Sequence, residues 1–333
     1  MMLVLGVESS CDDTAAAVLL DGRQILSNLV SSQDQVHGPY GGVVPELASR
    51  QHVRHVLPIV DEALQRAGVG LKDLSGLAVT FGPGLAGSLL VGLSLIKGLS
   101  FRWGIPYVGV NHLEAHLLAI FLEKDVPFPY IALLASGGHT LLYVVRDIGD
   151  YLYVGGTRDD AAGEAYDKVA KLLGLGYPGG RVIDQLAKQG NPKAISFPRA
   201  RMKKGSYDFS FSGLKTAVFY YLKRNPEEVW REKKADIAAS FQEAVVDMLI
   251  APTMRIIDEL KIARLVLAGG VSANSRLRAK MAEKGEEKGV AVHFPSPRFC
   301  TDNAAMIALA GYHLLKRGRR DDVGLNADAD LTL

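Results

Sequence analysis

The sequence contains little cysteine and little net charge. Its two cysteines, Cys11 and Cys300, lie far apart in a chain of 333 residues, so no disulfide framework is expected and a reducing compartment is indicated. A net charge of +2 excludes a strongly basic, histone-like binder, although a local basic patch can still attract nucleic acid. Hydrophobic residues at 48% and charged residues at 22% exclude a disordered or fibrous chain.

Targeting and membrane signals are also missing from the sequence. The first residues, "MMLVLGVESSCDDT", have no basic region and reach acidic residues too soon for a signal peptide. The longest apolar run, "GSLLVGLSLIKGLSF" at residues 87–101, is interrupted by Lys97 and by small residues, which predicts a buried helix and not a membrane span. We therefore expect a cytoplasmic protein that does not bind membranes.

The length and the pattern of the chain predict its fold class. A chain of 333 residues exceeds the size at which a single core usually stops growing, so two domains are expected. Strand-like and helix-like segments alternate throughout, which predicts an α/β fold. Residues 3–20 and 130–145 share one form, in which two apolar strands flank a tight turn of small and hydroxylated residues. They indicate either two related halves that meet near residues 127–129 or two unrelated hairpins.

Two long helices are predicted, over residues 46–68 and 235–260. Pro58 is expected to kink or break the first of them. That helix carries His52 and His55, and their spacing of three residues within a charged helix predicts a solvated face for both.

A second pair of histidines, His112 and His116, follows the strand-like segment "PYVGV", and Asn111 is placed to cap the helix that they begin. A spacing of four residues puts both imidazoles on one helix face, where they could bind one metal ion. The zinc-protease signature H-E-x-x-H is absent, because Leu113 occupies the glutamate position. The pair is therefore either part of a metal site without a protease base or an ordinary surface or capping pair.

A metal site needs a third ligand, for which Asp302 is the candidate. It lies in "FCTDNAAMIALAGYHLL", just before an apolar helix that it or Asn303 could simply cap. An aspartate at a helix start is also a preoriented carboxylate, so it could complete a site of two histidines and one carboxylate with open positions.

Two glycine turns favour an anionic or nucleotide ligand. The first ends a strand with the donor-rich residues Ser136, Gly137, Gly138, His139 and Thr140. The second, "LVLAGGVSANSRLR" at residues 265–278, places a helix start directly after paired glycines, which is a ready anion site. Neither turn matches the P-loop or the G-x-G-x-x-G fingerprint, and the first could equally be a plain hairpin turn.

Carboxylates are concentrated near a predicted helix start within residues 158–180, at Asp159, Asp160, Glu164 and Asp167. Such residues can simply interact favourably with the helix dipole. Asp167 falls in the helix interior, where capping no longer explains it, so its predicted role is to bind a ligand hydroxyl.

Ten segments taken in order resemble one family, the universal tRNA threonylcarbamoyladenosine transferases, once labelled glycoproteases. This family belongs to the superfamily of actin, hexokinase and the heat-shock ATPases. The segments span residues 6–308, and the ordered set is highly specific although any one segment alone is weak. "DDAAGEAYDK" with "DFSFSGLKTA" resembles the bacterial and mitochondrial branch. The remaining segments are "GVESSCDDT", "GGVVPELASRQHV", "GPGLAGSLLVG", "VNHLEAHLLA", "ASGGHT", "YPGG", "AGGVSAN" and "CTDNAAMIA".

The resemblance implies a duplicated actin-like, ribonuclease H-like α/β fold with the ligand site between two lobes, residues 1–128 and 129–333. A C-terminal helix near residues 302–316 is expected to pack back on the first lobe. By the same resemblance, His112, His116 and Asp302 match the ligands of one divalent metal ion, with Fe²⁺ preferred and Zn²⁺ as the alternative.

The resemblance also implies an ATP or adenylate ligand. The loop that matches the family's ligand-binding loop comprises Ala135, Ser136, Gly137, Gly138 and His139. The further positions that match adenylate contacts are Asp167, Gly180, Asp184 and Asn274.

The implied reaction transfers a threonylcarbamoyl group from threonylcarbamoyl-AMP to N6 of adenosine 37, in tRNAs that read codons starting with A. AMP is a good leaving group, so positioning and charge stabilisation are the main tasks and no nucleophilic residue is required. Cys11 is interpreted as a small packed residue. The proton acceptor for the adenine amine stays open between His139, the candidate catalytic residue, and a metal-bound water.

The implied partners are tRNA, a catalytically silent paralogue and a small P-loop ATPase. Residues 197–223 are rich in basic and aromatic residues and are the candidate tRNA surface, although a solvated loop is the alternative. The apolar run at residues 87–101 is a hypothetical protein-partner face. The predicted tRNA contacts are Arg199, Arg201, Lys203, Lys204 and Lys215, interleaved with Phe197, Tyr207, Phe209 and Phe211.

Two other functions are weighed against the transferase. The paired histidines suggest a metalloprotease, but the glutamate after His112 is missing and the glycine turns favour a nucleotide. Some actin-like proteins are noncatalytic ATP-binding scaffolds, but a scaffold would not require three metal ligands.

Overall fold

The computed structural model describes residues 1–200, 202–203 and 205–333, and these form two compact units. The first unit contains Met1–Val126 together with Pro297–Leu333, and the second contains Pro127–Ser296. Strands and helices alternate in both, which confirms the predicted α/β class. The sequence predicts two related lobes, residues 1–128 and 129–333. These limits stay a prediction.

Each unit contains one five-stranded mixed sheet. The first sheet has the order β3-β2-β1-β4-β5, and the second has the order β10-β9-β6-β7-β8. The strands are β1 Leu3–Glu8, β2 Asp13–Leu20, β3 Gln24–Ser32, β4 Gly76–Gly82, β5 Tyr107–Asn111, β6 Tyr130–Ala135, β7 Thr140–Asp147, β8 Asp150–Gly156, β9 Arg264–Ala268 and β10 Ala291–His293.

Helices cover the sheets, and short 3₁₀ turns connect several elements. The α-helices are α1 Asp34–His37, α2 Pro45–Ala67, α3 Ala86–Trp103, α4 His112–Leu118, α5 Ala162–Leu172, α6 Gly179–Ala187, α7 Ser212–Arg224, α8 Glu227–Glu232, α9 Lys234–Leu260, α10 Ser275–Lys288 and α11 Ala304–Lys316. Of the helices that the structure describes, none has the length and the sustained hydropathy that a bilayer crossing requires.

The two sheets have the same topology. In each, the first three strands are antiparallel neighbours, and the fourth and fifth strands run parallel to the first. The two hairpins predicted from residues 3–20 and 130–145 are confirmed as β1–β2 and β6–β7. This correspondence supports the interpretation of related halves over that of two unrelated hairpins.

The parallel strands β1, β4 and β5 end at the same edge of the first sheet, which brings residues that are distant in sequence together. Helix α11 packs on β1 at Gly6, where an added Cβ would lie 2.5 Å from the Ala304 carbonyl oxygen and 2.6 Å from the Ala308 nitrogen. The absent side chain therefore lets α11 lie directly on the strand, and Asp302 just before α11 reaches the strand ends.

The two predictions about helices have different outcomes. Pro58 lies inside α2 and does not break it, since Val56, Ile59 and Val60 around it pack in the core of the first unit, and the kink stays a prediction. The prediction for α3 needs correction. Helix α3 is not wholly buried as predicted, since one face packs in the core while Leu90 and Phe101 are exposed at 45% and 87%.

Candidate metal centre and glycine loops

The predicted helix cap at Asn111 is confirmed. Its Oδ1 accepts hydrogen bonds from the backbone nitrogens of Leu113 at 2.8 Å and Glu114 at 3.3 Å, which fixes the start of α4. His112 and His116 therefore project from one face of a short, fixed helix, with ring centroids 4.7 Å apart and an interplanar angle of 88°. Both histidines are buried, so the alternative of an ordinary surface pair is excluded.

Asp302 lies beside these two imidazoles. Its Oδ1 is 3.1 Å from His116 Nε2 and 3.6 Å from His112 Nε2. Asn303, not Asp302, caps α11, because the Asn303 Oδ1 accepts from the Met306 nitrogen at 3.1 Å. Ligand atoms of His112, His116 and Asp302 all lie within 4.8 Å of one another, so the structure brings together the three residues that the sequence singled out.

A fourth residue, Glu8 at the end of β1, supports this cluster and was missed by sequence reasoning. Glu8 is fully buried, and its Oε2 lies 2.9 Å from His112 Nδ1 and 2.7 Å from the hydroxyl of Thr80, which donates to it. The backbone nitrogen of Ser10 donates to Oε1 at 2.5 Å. These contacts hold the His112 ring with Nε2 directed toward Asp302. The available signal was a carboxylate that ends an otherwise apolar strand.

Protonation in the cluster follows from burial and from the two carboxylates. Burial favours neutral His112, but Glu8 and Asp302 outweigh it and raise the pKa of His112 to about 9. Burial lowers the pKa of His116, whose imidazole is therefore neutral at pH 7. The Glu8 pKa lies below its ordinary value, because the interaction with His112 exceeds the opposing effect of burial.

These residues fit a divalent metal ion by the chemistry of their donors. Two imidazoles and one carboxylate are a common set for first-row transition metals, and the negative charges of Glu8 and Asp302 match the charge of a divalent cation. Among the described residues, His116 Nδ1 is a buried atom without a hydrogen-bond partner, so this ring is not held by a full set of protein hydrogen bonds.

Cys11 lies in the turn after β1, close to acidic side chains. Burial, followed by the charges of Asp12 and Asp302, raises the pKa of the Cys11 thiol well above its ordinary value. The thiol is therefore protonated at neutral pH and is a poor nucleophile. Burial raises the pKa of the neighbouring Asp13 to about 8, with further contributions from Asp302 and Asp12.

The prediction that His52 and His55 share a solvated face is wrong for His52. His52 is fully buried, its Nδ1 is 2.8 Å from the Thr14 hydroxyl, and its Nε2 is 3.0 Å from the Cys11 carbonyl oxygen. It therefore fixes the turn after β1, while His55 is exposed as expected. Sequence spacing could not distinguish these two positions, because the direction of the core depends on how α2 packs against β2.

In the second unit, the loop after β6 forms a tight turn with two exposed glycines. The Ser136 nitrogen donates to the His139 carbonyl oxygen at 2.8 Å, and the His139 nitrogen donates to the Ser136 hydroxyl at 3.1 Å. Gly137 and Gly138 lie between them with open space on their Cα atoms, so a ligand can approach the backbone. The turn rests on α5, where the Gly163 nitrogen donates to the Ser136 carbonyl oxygen at 3.1 Å.

Four further predicted positions also lie in the second unit. Asp167 accepts from the Gly179 nitrogen at 2.7 Å, so it holds the start of α6 next to Gly180. Asp184 accepts from the Ser275 hydroxyl at 2.8 Å. These contacts give Asp167 and Asp184 structural roles in addition to any contact with a ligand.

Asn274 caps α10, with its Oδ1 accepting from the Leu277 nitrogen at 2.9 Å, and its Nδ2 donates to Gln242 Oε1 at 2.7 Å. Gln242 and Ser275 line a cavity of about 330 Å³ that also includes Glu243 and Arg276. Asn274 and Asp184 are therefore each bonded to a residue of the cavity wall.

The aromatic part of the predicted tRNA patch needs correction, while its basic contacts stay a prediction. Phe197, Phe209 and Phe211 are buried in the core of the second unit, so they cannot stack on nucleic-acid bases. These rings belong to one buried cluster with Leu214 of α7 and Phe241 of α9. A sequence pattern without periodicity does not reveal this inward direction.

The predicted basic contacts within this patch have different surroundings. Arg199 pairs with Asp247 at 2.8 Å, Lys215 pairs with Asp160 at 2.5 Å, and Lys203 is exposed. The other two predicted contacts, Arg201 and Lys204, lie outside the described residues.

Comparison with known proteins identifies the family. The family model described as tRNA N6-adenosine threonylcarbamoyltransferase matches residues 24–309. Relatives of that name include one from Syntrophotalea carbinolica, 56% identical over 100% of this chain and 97% of that protein, and one from Anaeromyxobacter dehalogenans, 57% identical over 98% of each.

Solved structures of other families show the same fold. Full-length HypF in its phosphate- and nucleotide-bound form has a TM-score of 0.64 at 14% identity over 95% of this chain and 56% of that one. The (R)-2-hydroxyglutaryl-CoA dehydratase component A of Acidaminococcus fermentans has a TM-score of 0.55 at 18% identity over 96% of this chain and 100% of that one. These likenesses concern the fold alone and agree with the predicted α/β class. On the family model and the full-length relatives, the chain belongs to the tRNA N6-adenosine threonylcarbamoyltransferase family.

Proposed function

We propose that this protein transfers the threonylcarbamoyl group of threonylcarbamoyl-AMP to N6 of adenosine 37 in tRNAs that read codons starting with A. Family membership over the full chain supports the reaction class. The observation that carries the proposal is the buried cluster of His112, His116 and Asp302, supported from behind by Glu8. When this cluster binds a divalent ion, it places positive charge at one point. An acyl transfer from an anionic donor requires such a charge.

The reaction needs no covalent intermediate on the protein. The adenine N6 forms a bond to the carbamoyl carbon, the bond from that carbon to the AMP phosphate oxygen breaks, and the amine loses one proton. Because AMP is a good leaving group, the tasks of the protein are to hold both reactants and to stabilise charge. The raised pKa of Cys11 agrees with this scheme, since that thiol is not available as a nucleophile.

His112, His116 and Asp302 would hold one divalent ion, Fe²⁺ in preference to Zn²⁺. When bound, the ion acts as a Lewis acid or template for the oxygens of the acyl donor. Glu8 keeps the His112 ring in the orientation that directs Nε2 to the site.

The adenylate is assigned to the second unit. The exposed backbone of Gly137 and Gly138 suits an anionic group, and the cavity beside Asn274 and Asp184 suits a polar heterocycle. His139 is the protein group assigned to accept the amine proton. The proposed ligand contacts are Ala135, Ser136, Gly137, Gly138, His139, Asp167, Gly180, Asp184 and Asn274.

Gly163→Ala will weaken adenylate binding without unfolding the protein. An added Cβ would lie 2.5 Å from the Ser136 carbonyl oxygen and 2.8 Å from Gly137 Cα, so the glycine loop must shift. A misplacement near 1 Å can cost about 100-fold in rate, and we expect a loss of transfer rate of about that size. The matched control is Gly98→Ala in α3, where the added methyl meets open space, and its ATP affinity is expected to equal that of the wild type. Unchanged ATP affinity by calorimetry, with unchanged transfer, would contradict this prediction.

The partners proposed for the reaction are a catalytically silent paralogue and a small P-loop ATPase, and the proposed compartment is the cytoplasm. The exposed face of α3 remains the hypothetical face for a protein partner, as Leu90 and Phe101 indicate. A monodisperse monomer that does not change on addition of partners would count against this assignment.

Mass spectrometry of nucleosides tests the proposed function. An unmodified tRNA transcript is incubated with this protein, threonylcarbamoyl-AMP, both partners and Fe²⁺, beside a His112→Ala/His116→Ala variant. Threonylcarbamoyladenosine formed only with the intact histidines supports the proposal. Its absence, with intact tRNA and adenylate and with partners that are active beside a known homologue, would favour the noncatalytic scaffold.

A further inference from the structure

Helix α7 presents an exposed face that the reaction does not use. Leu214 and Val218 bury the opposite side of the helix in the core of the second unit. The outer side, here called the α7 face, consists of Lys215, Thr216, Phe219, Tyr220, Lys223 and Arg224. No residue of α7 is acidic, and three of these six are cationic. The helix therefore carries positive charge on one side.

Two aromatic rings on this face are exposed to solvent. Phe219 and Tyr220 are 46% and 50% exposed. Along the helix, Lys215, Phe219 and Lys223 follow one another at intervals of four residues, so an aromatic ring lies between two cations on one stripe. Arg224 lies four residues after Tyr220, with its guanidinium carbon 6.0 Å from the Tyr220 ring centroid. Rings and cations thus alternate over the length of the face.

A groove between α7 and α5 continues this surface. It has a volume of about 580 Å³ and is lined by Lys168, Lys171 and Leu172 from α5 together with Lys215, Thr216, Phe219 and Tyr220. Asp160 pairs with both Lys168 and Lys215, and Glu164 pairs with Lys168. The four cations Lys168, Lys215, Lys223 and Arg224 are opposed by two carboxylates in these pairs, so the surface keeps a positive excess.

We propose that the α7 face and its groove bind unpaired nucleotides of the tRNA substrate, which rests on the proposed function. The bases stack on Phe219 and Tyr220, and the phosphates contact the surrounding cations. Aromatic platforms in a positively charged groove are the general device for single-stranded nucleic acid, because every base has a π face and every linkage has a charge. Exposed aromatic rings and arginine also occur in protein interfaces, but lysine is depleted there, and four of the five cations of the groove and the α7 face are lysines. Charge complementarity therefore favours RNA as the occupant.

The test measures the affinity of the full chain for an unmodified tRNA transcript over a range of salt concentrations. Phe219→Ala/Tyr220→Ala is expected to weaken binding by at least about 5- to 150-fold, the range for the loss of one stacked base. Lys223→Glu/Arg224→Glu is expected to weaken binding and to reduce the salt slope by about one for each lost phosphate contact. In the transfer assay, KM for tRNA should rise while kcat and the metal content stay unchanged.

Matched controls keep this test specific. Tyr40→Ala removes a ring of similar exposure, 56%, from the first unit, and Lys284→Glu/Lys288→Glu makes the same charge change on another helix of the second unit. The proposal is overturned if the α7 variants bind tRNA like the wild type, or if they lose only the binding of a partner protein. If the α7 variants modify the tRNA fully and bind it with unchanged affinity, the proposed surface is refuted and the proposed function stands. If the α7 variants lose affinity for tRNA but the wild type forms no threonylcarbamoyladenosine, the proposed function is refuted and the proposed surface stands.

Discussion

Replacing His116 with alanine is expected to remove the bound metal ion and to abolish threonylcarbamoyl transfer. His116 is buried, its Nε2 is 3.1 Å from Asp302 Oδ1, and it supplies one of the two imidazoles of this cluster. Loss of a side chain that contacts a metal ligand typically lowers metal affinity or activity by about 10- to 100-fold. Loss of a direct ligand is therefore expected to lower both the metal affinity and the transfer rate by more than about 100-fold.

Elemental analysis of the purified protein measures the metal content, and nucleoside mass spectrometry measures the transfer. Asp302→Asn is the second variant, because it keeps the volume of the side chain and removes the carboxylate charge. His55→Ala is the matched control, since His55 is exposed on α2. Stoichiometric metal in folded His116→Ala protein would show that His116 is not a ligand, and the cluster would then need another explanation.

Replacing Glu8 with glutamine is expected to weaken metal binding by about 10- to 100-fold, although Glu8 is not among the three proposed ligands. The Glu8 carboxylate accepts from Thr80 and Ser10 and lies 2.9 Å from His112 Nδ1. Glutamine keeps the volume but removes the charge and places an amide donor in a site built for an acceptor. The His112 ring then loses its charged acceptor at Nδ1, where the Ser10 hydroxyl at 3.2 Å is the other contact.

Competition with a chelator measures the metal affinity of the Glu8→Gln variant, and circular dichroism verifies its fold. Thr80→Val is the matched comparison, because it removes one hydrogen bond to the same carboxylate and leaves the His112 contact in place. We expect it to weaken metal binding less than Glu8→Gln does. Metal affinity of the Glu8 variant within threefold of the wild type would refute the positioning role.

Local features of the fold were predictable from the sequence because they depend on short spacings. The Asn111 cap, the shared face of His112 and His116, and the two hairpins each involve residues a few positions apart. The direction in which a residue faces was less predictable. His52 and Phe211 were assigned to solvent or ligand, yet both are fully buried, because only the packing of neighbouring elements decides which side of a segment meets the core.

The assembly of the metal centre shows where prediction from the sequence ends. The sequence specifies an α/β chain with related hairpins, a capped helix with two histidines and the motifs of its family, since helix and strand periodicity and residue chemistry fix these features. Glu8 lies 104 residues from His112, and Asp302 lies 186 residues from His116, and no local pattern links such positions. They meet because β1, β4 and β5 end at one sheet edge and because Gly6 lets α11 approach β1 closely. Strand order and close packing are properties of the folded chain, and they alone make Glu8 a partner of the metal site.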